Sequence, residues 1–303
     1  MNTPVSPTLP LLQVSSLHLS IAQRHGPATP ILRNVNLSVM PGETLGLVGE
    51  SGGGKTMVGK AVLGILPAMA RIDDGAIEFA GHNLLSLSPG MHRRMLGKDI
   101  AMILQNPMTA LNPVFRIGRQ ITDIIRYHLG VSSQEAKARA LAMLEAVQIR
   151  EPQRVFDLYP HELSGGMCQR VVISIAFSCE PKLIIADEPT TALDVTVQHQ
   201  ILKLIKSLQQ RVGTSVLFVT HDLGVVAKVC DRVSVINAGR ILESGTVQEV
   251  FSAPRHPYTR ALFAAAPRYD QPDAPLQAVP ESLRAQLLAE ARAYDKERQA
   301  TRA

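Results

Sequence analysis

The chain has 303 residues and a formal net charge of +5, with 46% hydrophobic and 19% charged residues. That is enough apolar material for a sizeable core, yet no run approaches the roughly eighteen apolar residues that a membrane-spanning helix needs. The basic residues alternate with Asp and Glu, and aromatic residues are 4% with no Trp, which argues against the basic, aromatic-lined surface of a nucleic-acid binder.

Met1 to Pro10 carry no Lys or Arg ahead of a long apolar run, so no secretory signal is expected and the chain should stay in the cytoplasm. Cys168, Cys179 and Cys230 show no CxxC spacing and read as free thiols of a reducing compartment.

In chain order, Leu11 to Ile21 and Ile31 to Val39 alternate as antiparallel strands do, with a turn at Pro41-Gly42. Continuous apolar runs follow at Thr44–Val48, Leu183–Ala186, Ser215–Val219 and Val233–Ile236, the pattern of strands buried on both faces of a parallel sheet. Helical patterns separate them, so the body is α/β. From about 106 to 162 the texture becomes helical, with apolar spacing over Gly118–His128 and Ser133–Val147 and a helix start at Ser132. After Gly245 comes a further segment with His256-Pro257-Tyr258-Thr259, read as a proline-led helix start packing through Leu262 and Phe263, and a helix over Glu281–Arg298.

Three stretches carry chemistry. Gly49-Glu50-Ser51-Gly52-Gly53-Gly54-Lys55-Thr56 is a GxxxxGKT phosphate loop between an apolar strand and a helix. Its glycines let backbone N–H groups surround phosphate, Lys55 adds a charge, and the Thr56 hydroxyl suits Mg²⁺. Leu183 to Glu188 brings two carboxylates to the end of a buried strand, where open α/β sheets bind ligands. There Asp187 suits Mg²⁺ and Glu188 suits orienting or deprotonating a water. Ser164-Gly165-Gly166 before an apolar helix form a second bare helix start, which by local sequence alone reads as a plain cap.

Taken in order, the phosphate loop, Gln105 after an apolar strand, LSGGMxQR from Leu163, IIADEP, Ala192-Leu193-Asp194 and Thr220-His221-Asp222 resemble the ATPase subunits of ABC transporters over about 11–245. The resemblance implies a P-loop NTPase (RecA-like) α/β core of ABC type with an antiparallel β-layer, a helical subdomain inserted at about 106–162, and a C-terminal extension over 246–303. It implies that ATP and Mg²⁺ are bound, with Gln105 sensing Mg²⁺ and the membrane subunits. Ser164, Gly165 and Gly166 would bind the γ-phosphate of ATP held by a second ATPase subunit, alike or different. Asp194 would sit at that dimer seam, and His221 would contact the γ-phosphate.

More narrowly, Gln105 to Pro113, Ala186 to Asp194 and Phe251 to Thr259 are similar to the ATPases of the peptide, nickel and opine importers. That implies two permease subunits, a solute-binding protein acting through them, and a peripheral place on the cytoplasmic face of the inner membrane. A nickel-chelate or opine uptake ATPase is the alternative within this branch. A soluble ABC ATPase acting on nucleic acid or ribosomes would call for a second cassette, zinc-ligand cysteines or coiled-coil arms; a generic P-loop kinase or GTPase leaves LSGGM and His221 without a role. Two departures stand out. Ile21 occupies the place where the branch stacks an aromatic residue on adenine, leaving His25 or a partner residue to take that role. The tail after Cys230 has no cysteine for the iron–sulfur centre that many relatives carry.

Overall fold

The computed structural model describes residues 9–191, 193–265 and 278–302; Ala192 of the expected Ala192-Leu193-Asp194 motif lies outside them. In chain order come strands β1 (Leu12–Ile21), β2 (Thr29–Val39) and β3 (Thr44–Val48), helix α1 (Lys55–Leu63), and strands β4 (Ala70–Phe79) and β5 (His82–Asn83). Helix α2 (Pro89–Met95) and strand β6 (Ile100–Ile103) precede helices α3 (Pro107–Ala110), α4 (Ile117–Leu129), α5 (Ser133–Ala146), α6 (Pro152–Asp157) and α7 (Gly165–Phe177). Then follow β7 (Leu183–Asp187), α8 (Val195–Val212), β8 (Ser215–Thr220), α9 (Leu223–Val229), β9 (Arg232–Asn237) and β10 (Arg240–Thr246). The last helices are α10 (Val247–Ser252), α11 (Pro257–Ala264) and α12 (Glu281–Arg302). Among the described residues, no helix is long and apolar enough to cross a membrane.

The chain divides into two units, one taking residues up to Ser86 and from Phe218 onward, the other Leu87–Leu217. In the first, an antiparallel sheet runs in the order β2-β1-β4-β5. Beside it, β3 pairs in parallel with β9, and β9 pairs antiparallel with β10. Alternation in β1 puts Leu12, Val14, Leu17 and Leu19 in the core, as the sequence suggests. His18 and Ser20 are nevertheless buried as well, and over His18 it is α12 that brings its own polar groups against that layer. His18 Nε2 bonds the Tyr294 hydroxyl at 2.8 Å, and Arg33 grips Asp295 through two bonds of 2.8 Å. Such paired Arg–carboxylate bonds are the strong form of the contact.

In the second unit, α4 buries Ile117, Ile121 and Ile125, and α5 buries Ala136, Ala140 and Leu144. Both triplets recur every four residues, the spacing that keeps one helix face apolar. Gly130, in the left-handed conformation at φ 66°, ends α4, and the Ser132 hydroxyl accepts from Glu135 N–H at 3.2 Å to start α5 where the sequence placed its beginning. Strands β6 and β7 pair in parallel from Ile100 with Leu183 to Ile103 with Ala186, and every residue of β7 is buried.

Strand β4 is not anticipated by its sequence. Asp73, Asp74 and Gly75 interrupt the alternation there and read as a turn, yet the strand keeps pairing with β1 through a register shift. Helix α2, carrying the half-buried His92 and the exposed Arg93 and Arg94, has no fully buried residue and so offers no apolar period to find.

Candidate functional site

The phosphate loop occupies the short span between β3 and α1. Gly49 is required by a close approach: a Cβ there would lie 2.0 Å from the Ile236 carbonyl oxygen. Gly54 caps α1 at φ 103°, a conformation that favours glycine, and offers no side-chain acceptor to the first-turn amides. The Lys55 side chain is buried, and its ammonium donates to the carbonyls of Gly49 (2.8 Å) and Glu50 (3.0 Å). Gly53 N–H donates to the Glu50 carbonyl at 3.2 Å, and Gly239 N–H to the Gly53 carbonyl at 3.1 Å. The loop is therefore held open around its own lysine. Ser51 and Gly52 are exposed, and Thr56 is half-buried on the first turn. In the same unit, His221 is exposed between β8 and α9, whose start is capped by the Asp222 carboxylate accepting from Val225 N–H at 3.2 Å.

The carboxylates belong to the other unit. Asp187 ends β7 and is buried, while Glu188 is half-buried. The Glu188 backbone has φ 48°, a left-handed conformation uncommon for a residue with a long side chain. Gln105 Nε2 donates to Glu188 Oε2 at 3.1 Å, and the Thr191 hydroxyl donates to the same oxygen at 2.9 Å. Two residues singled out from sequence, 83 positions apart, thus meet side chain to side chain. Thr191 was missed as a partner; its only signal is its place one turn beyond the carboxylate.

Ser164 caps α7, its hydroxyl accepting from Met167 N–H at 3.4 Å, and Asp194 caps α8 by accepting from Val197 N–H at 3.0 Å. The plain-cap reading is thus realised at Ser164. It does not account for Gly165, which is exposed and where an added Cβ would meet nothing within 4 Å. Packing within the chain does not demand that glycine. Gln169, a further residue of the LSGGMxQR stretch, is buried and binds the residue after Glu188 through the Pro189 carbonyl.

Residues 32–191 match the family described as ABC transporter. The chain belongs to that family and is an ATPase subunit of the ABC type. Residues 242–291 further match the family described as the oligopeptide/dipeptide transporter C-terminal region, which sets the chain in the peptide-transporter branch. It is 49% identical over 258 residues to the oligopeptide transport ATP-binding protein OppD of Bacillus subtilis, covering 85% of this chain and 72% of that one. It is 47% identical over 274 residues to the probable D,D-dipeptide transport ATP-binding protein DdpD of Escherichia coli, covering 90% and 83%. Among solved structures, cbiO1 from Clostridium perfringens, part of the ABC transporter complex cbiONQ, superposes with a TM-score of 0.68 at 26% identity, covering 80% of this chain and 91% of that one. The ADP- and phosphate-bound cassette MJ0796 has a TM-score of 0.69 at 24% identity, covering 78% and 98%, and supports the fold alone.

Proposed function

We propose that this chain binds and hydrolyses ATP to drive an importer of small peptides or related solutes, working with two permease subunits and a second ATPase subunit on the cytoplasmic face of the inner membrane. A solute-binding protein would deliver cargo to the permeases. The observation that carries the reading is the Glu188 carboxylate, held through one oxygen by Gln105 and Thr191 on a left-handed backbone. Strain of that kind concentrates at functional positions.

The roles follow from the chemistry of each group. Backbone amides of Gly49 to Gly54, with Lys55, cradle the phosphates, and nucleotide replaces the loop carbonyls that the ammonium now contacts. The Thr56 hydroxyl and Asp187 carboxylate are hard oxygen donors, the sparse set that Mg²⁺ takes beside nucleotide phosphates. Glu188 orients a water for attack on the γ-phosphorus and receives its proton, and His221 contacts the γ-phosphate as the bond to ADP breaks. Ser164, Gly165 and Gly166 present a helix start to the ATP of the second subunit, with Asp194 at that seam. The exposed apolar side chains of Met108 and Val114, just beyond Gln105, suit contact with a permease.

The test is uptake of labelled di- and oligopeptides by cells lacking this chain and complemented with wild type or Glu188→Gln. Uptake restored by wild type alone supports the reading. Normal peptide uptake without the chain overturns the solute class, and full rescue by Glu188→Gln overturns the hydrolytic role.

A further inference from the structure

Glu50, in the phosphate loop, has every polar group engaged, and half of its partners come from beyond residue 250. Its carbonyl accepts from Lys55 and from Gly53 N–H. Its own N–H donates to the Tyr258 hydroxyl oxygen at 3.1 Å, and that hydroxyl reaches back to Glu50 Oε2 at 3.4 Å. Glu50 Oε1 is taken by the Arg284 guanidinium. Tyr258 opens α11 and Arg284 lies in the first turns of α12, so two separate helices converge on one loop residue.

The Tyr258 ring is wholly buried in a cluster with Val48, Leu223, Val226 and Val235. Packing accounts for the ring and leaves the hydroxyl unexplained, since a phenylalanine would fill nearly the same volume. Burying a hydroxyl is unfavourable unless it is bonded, and this one finds its bonds on Glu50 of the loop and on the Asn237 side chain. Burial also pushes the Tyr258 phenol up, which keeps its proton available as a donor at physiological pH.

We propose that Tyr258 and Arg284 are positioning residues for ATP: together they latch Glu50 and hold the phosphate loop in its nucleotide-ready form. The inference rests on the loop being the phosphate site. A loop containing four glycines between Gly49 and Gly54 loses much conformational freedom when it wraps a ligand. Fixing it beforehand removes part of that loss from binding. The effect should therefore fall on affinity and KM rather than on kcat.

The experiment titrates full-length protein with Mg²⁺ and ATP by calorimetry and follows steady-state hydrolysis and thermal melting. Tyr258→Phe and Arg284→Gln should each weaken ATP binding by about two- to tenfold, the effect of losing one hydrogen bond, with kcat and melting temperature little changed. Arg284→Lys should recover most of what Arg284→Gln loses. In a Glu50→Ala background, Tyr258→Phe should have no further effect on affinity. Wild-type affinity in both single variants, or an equal loss from Tyr258→Phe with and without Glu50, overturns the latch. A Lys55→Ala control separates the two ideas: if it loses ATP while the latch variants do not, only the latch falls. If it binds ATP as wild type does, the phosphate-site reading falls and the latch with it.

Discussion

The buried side-chain amide of Gln169 donates a 2.7 Å hydrogen bond to the Pro189 carbonyl, fastening helix α7 to the residue that follows Glu188. Gln169→Leu keeps the bulk and removes the donor. Leaving that carbonyl unpaired should cost about 1–3 kcal/mol of stability, read as a lower urea midpoint at unchanged slope. Turnover should fall too, because Glu188 loses support on one side. An unchanged midpoint would mean that the lost bond is offset, by water at the carbonyl or by removal of Gln169 Oε1, which is buried without a partner among the described residues.

Glu188→Gln preserves an oxygen for the bonds from Gln105 and Thr191, so nucleotide binding should survive. Hydrolysis should drop by roughly 10²–10⁴, the usual contribution of a general base. The ATP-bound dimer should then persist long enough to be isolated by size exclusion. Turnover within a few-fold of wild type would remove Glu188 from the base role.

Lys55→Ala deletes the charge proposed to face the phosphates and, in the same step, the two bonds to the carbonyls of Gly49 and Gly53's partner Glu50. Affinity for Mg²⁺ and ATP should collapse in a calorimetric titration. Unchanged affinity would place the phosphates elsewhere.

Glu243 gives the C-terminal segment an acid-sensitive joint. Burial opposes its charge, but the N–H groups of Arg255 (2.7 Å) and His256 (3.0 Å) are among the neighbours that together outweigh burial and hold its carboxyl below the usual range. A carboxyl depressed on folding adds stability above its unfolded pKa and loses it as pH falls through the folded value. Glu243→Gln should therefore melt lower than wild type at neutral pH, with the two curves converging in acid. A constant gap across the pH range would show that ionisation plays no part.

Ile21 is half-buried at the end of β1, paired with Thr29 and Ala70, and His25 is exposed in the turn beyond. Aromatic stacking on a base is worth roughly 1–3 kcal/mol, about five- to a hundredfold in affinity. With isoleucine at the expected stacking position, GTP should compete well against labelled ATP, and Ile21→Tyr should tighten ATP binding with the Mg²⁺ requirement unchanged. Strong ATP preference with no gain from Ile21→Tyr would assign adenine to another residue.

The strand, turn and helix start around Gly49 to Thr56 and the carboxylates at the end of β7 were legible because their signals are local. A strand, a turn and a helix start lie within a few residues, and glycine is placed where the backbone must pass closely. The four buried strands beyond the antiparallel layer were legible for the same reason, each as an unbroken apolar run. What escaped was long-range or locally contradictory. The Tyr258 hydroxyl meets Glu50 across 208 positions, and nothing near Tyr258 distinguishes that contact from plain packing. The polar face of β1 reads as solvated because its cover, α12, is written at the other end of the sequence. Strand β4 carries turn residues at its centre, and only pairing with β1 overrides them.

That cover has a consequence for how the chain is made. His18 and Tyr294 stack with ring centroids 6.0 Å apart, and Arg33 is clasped by Asp295. Leu87–Leu217, by contrast, forms its compact unit from one continuous stretch. At synthesis rates of about 5–20 residues per second, the early strands wait roughly 13–55 s on the ribosome before α12 emerges to shield them. The middle of the protein can fold while its beginning is still half-covered, so the nascent chain, rather than the finished protein, is where this antiparallel layer is most in need of a chaperone.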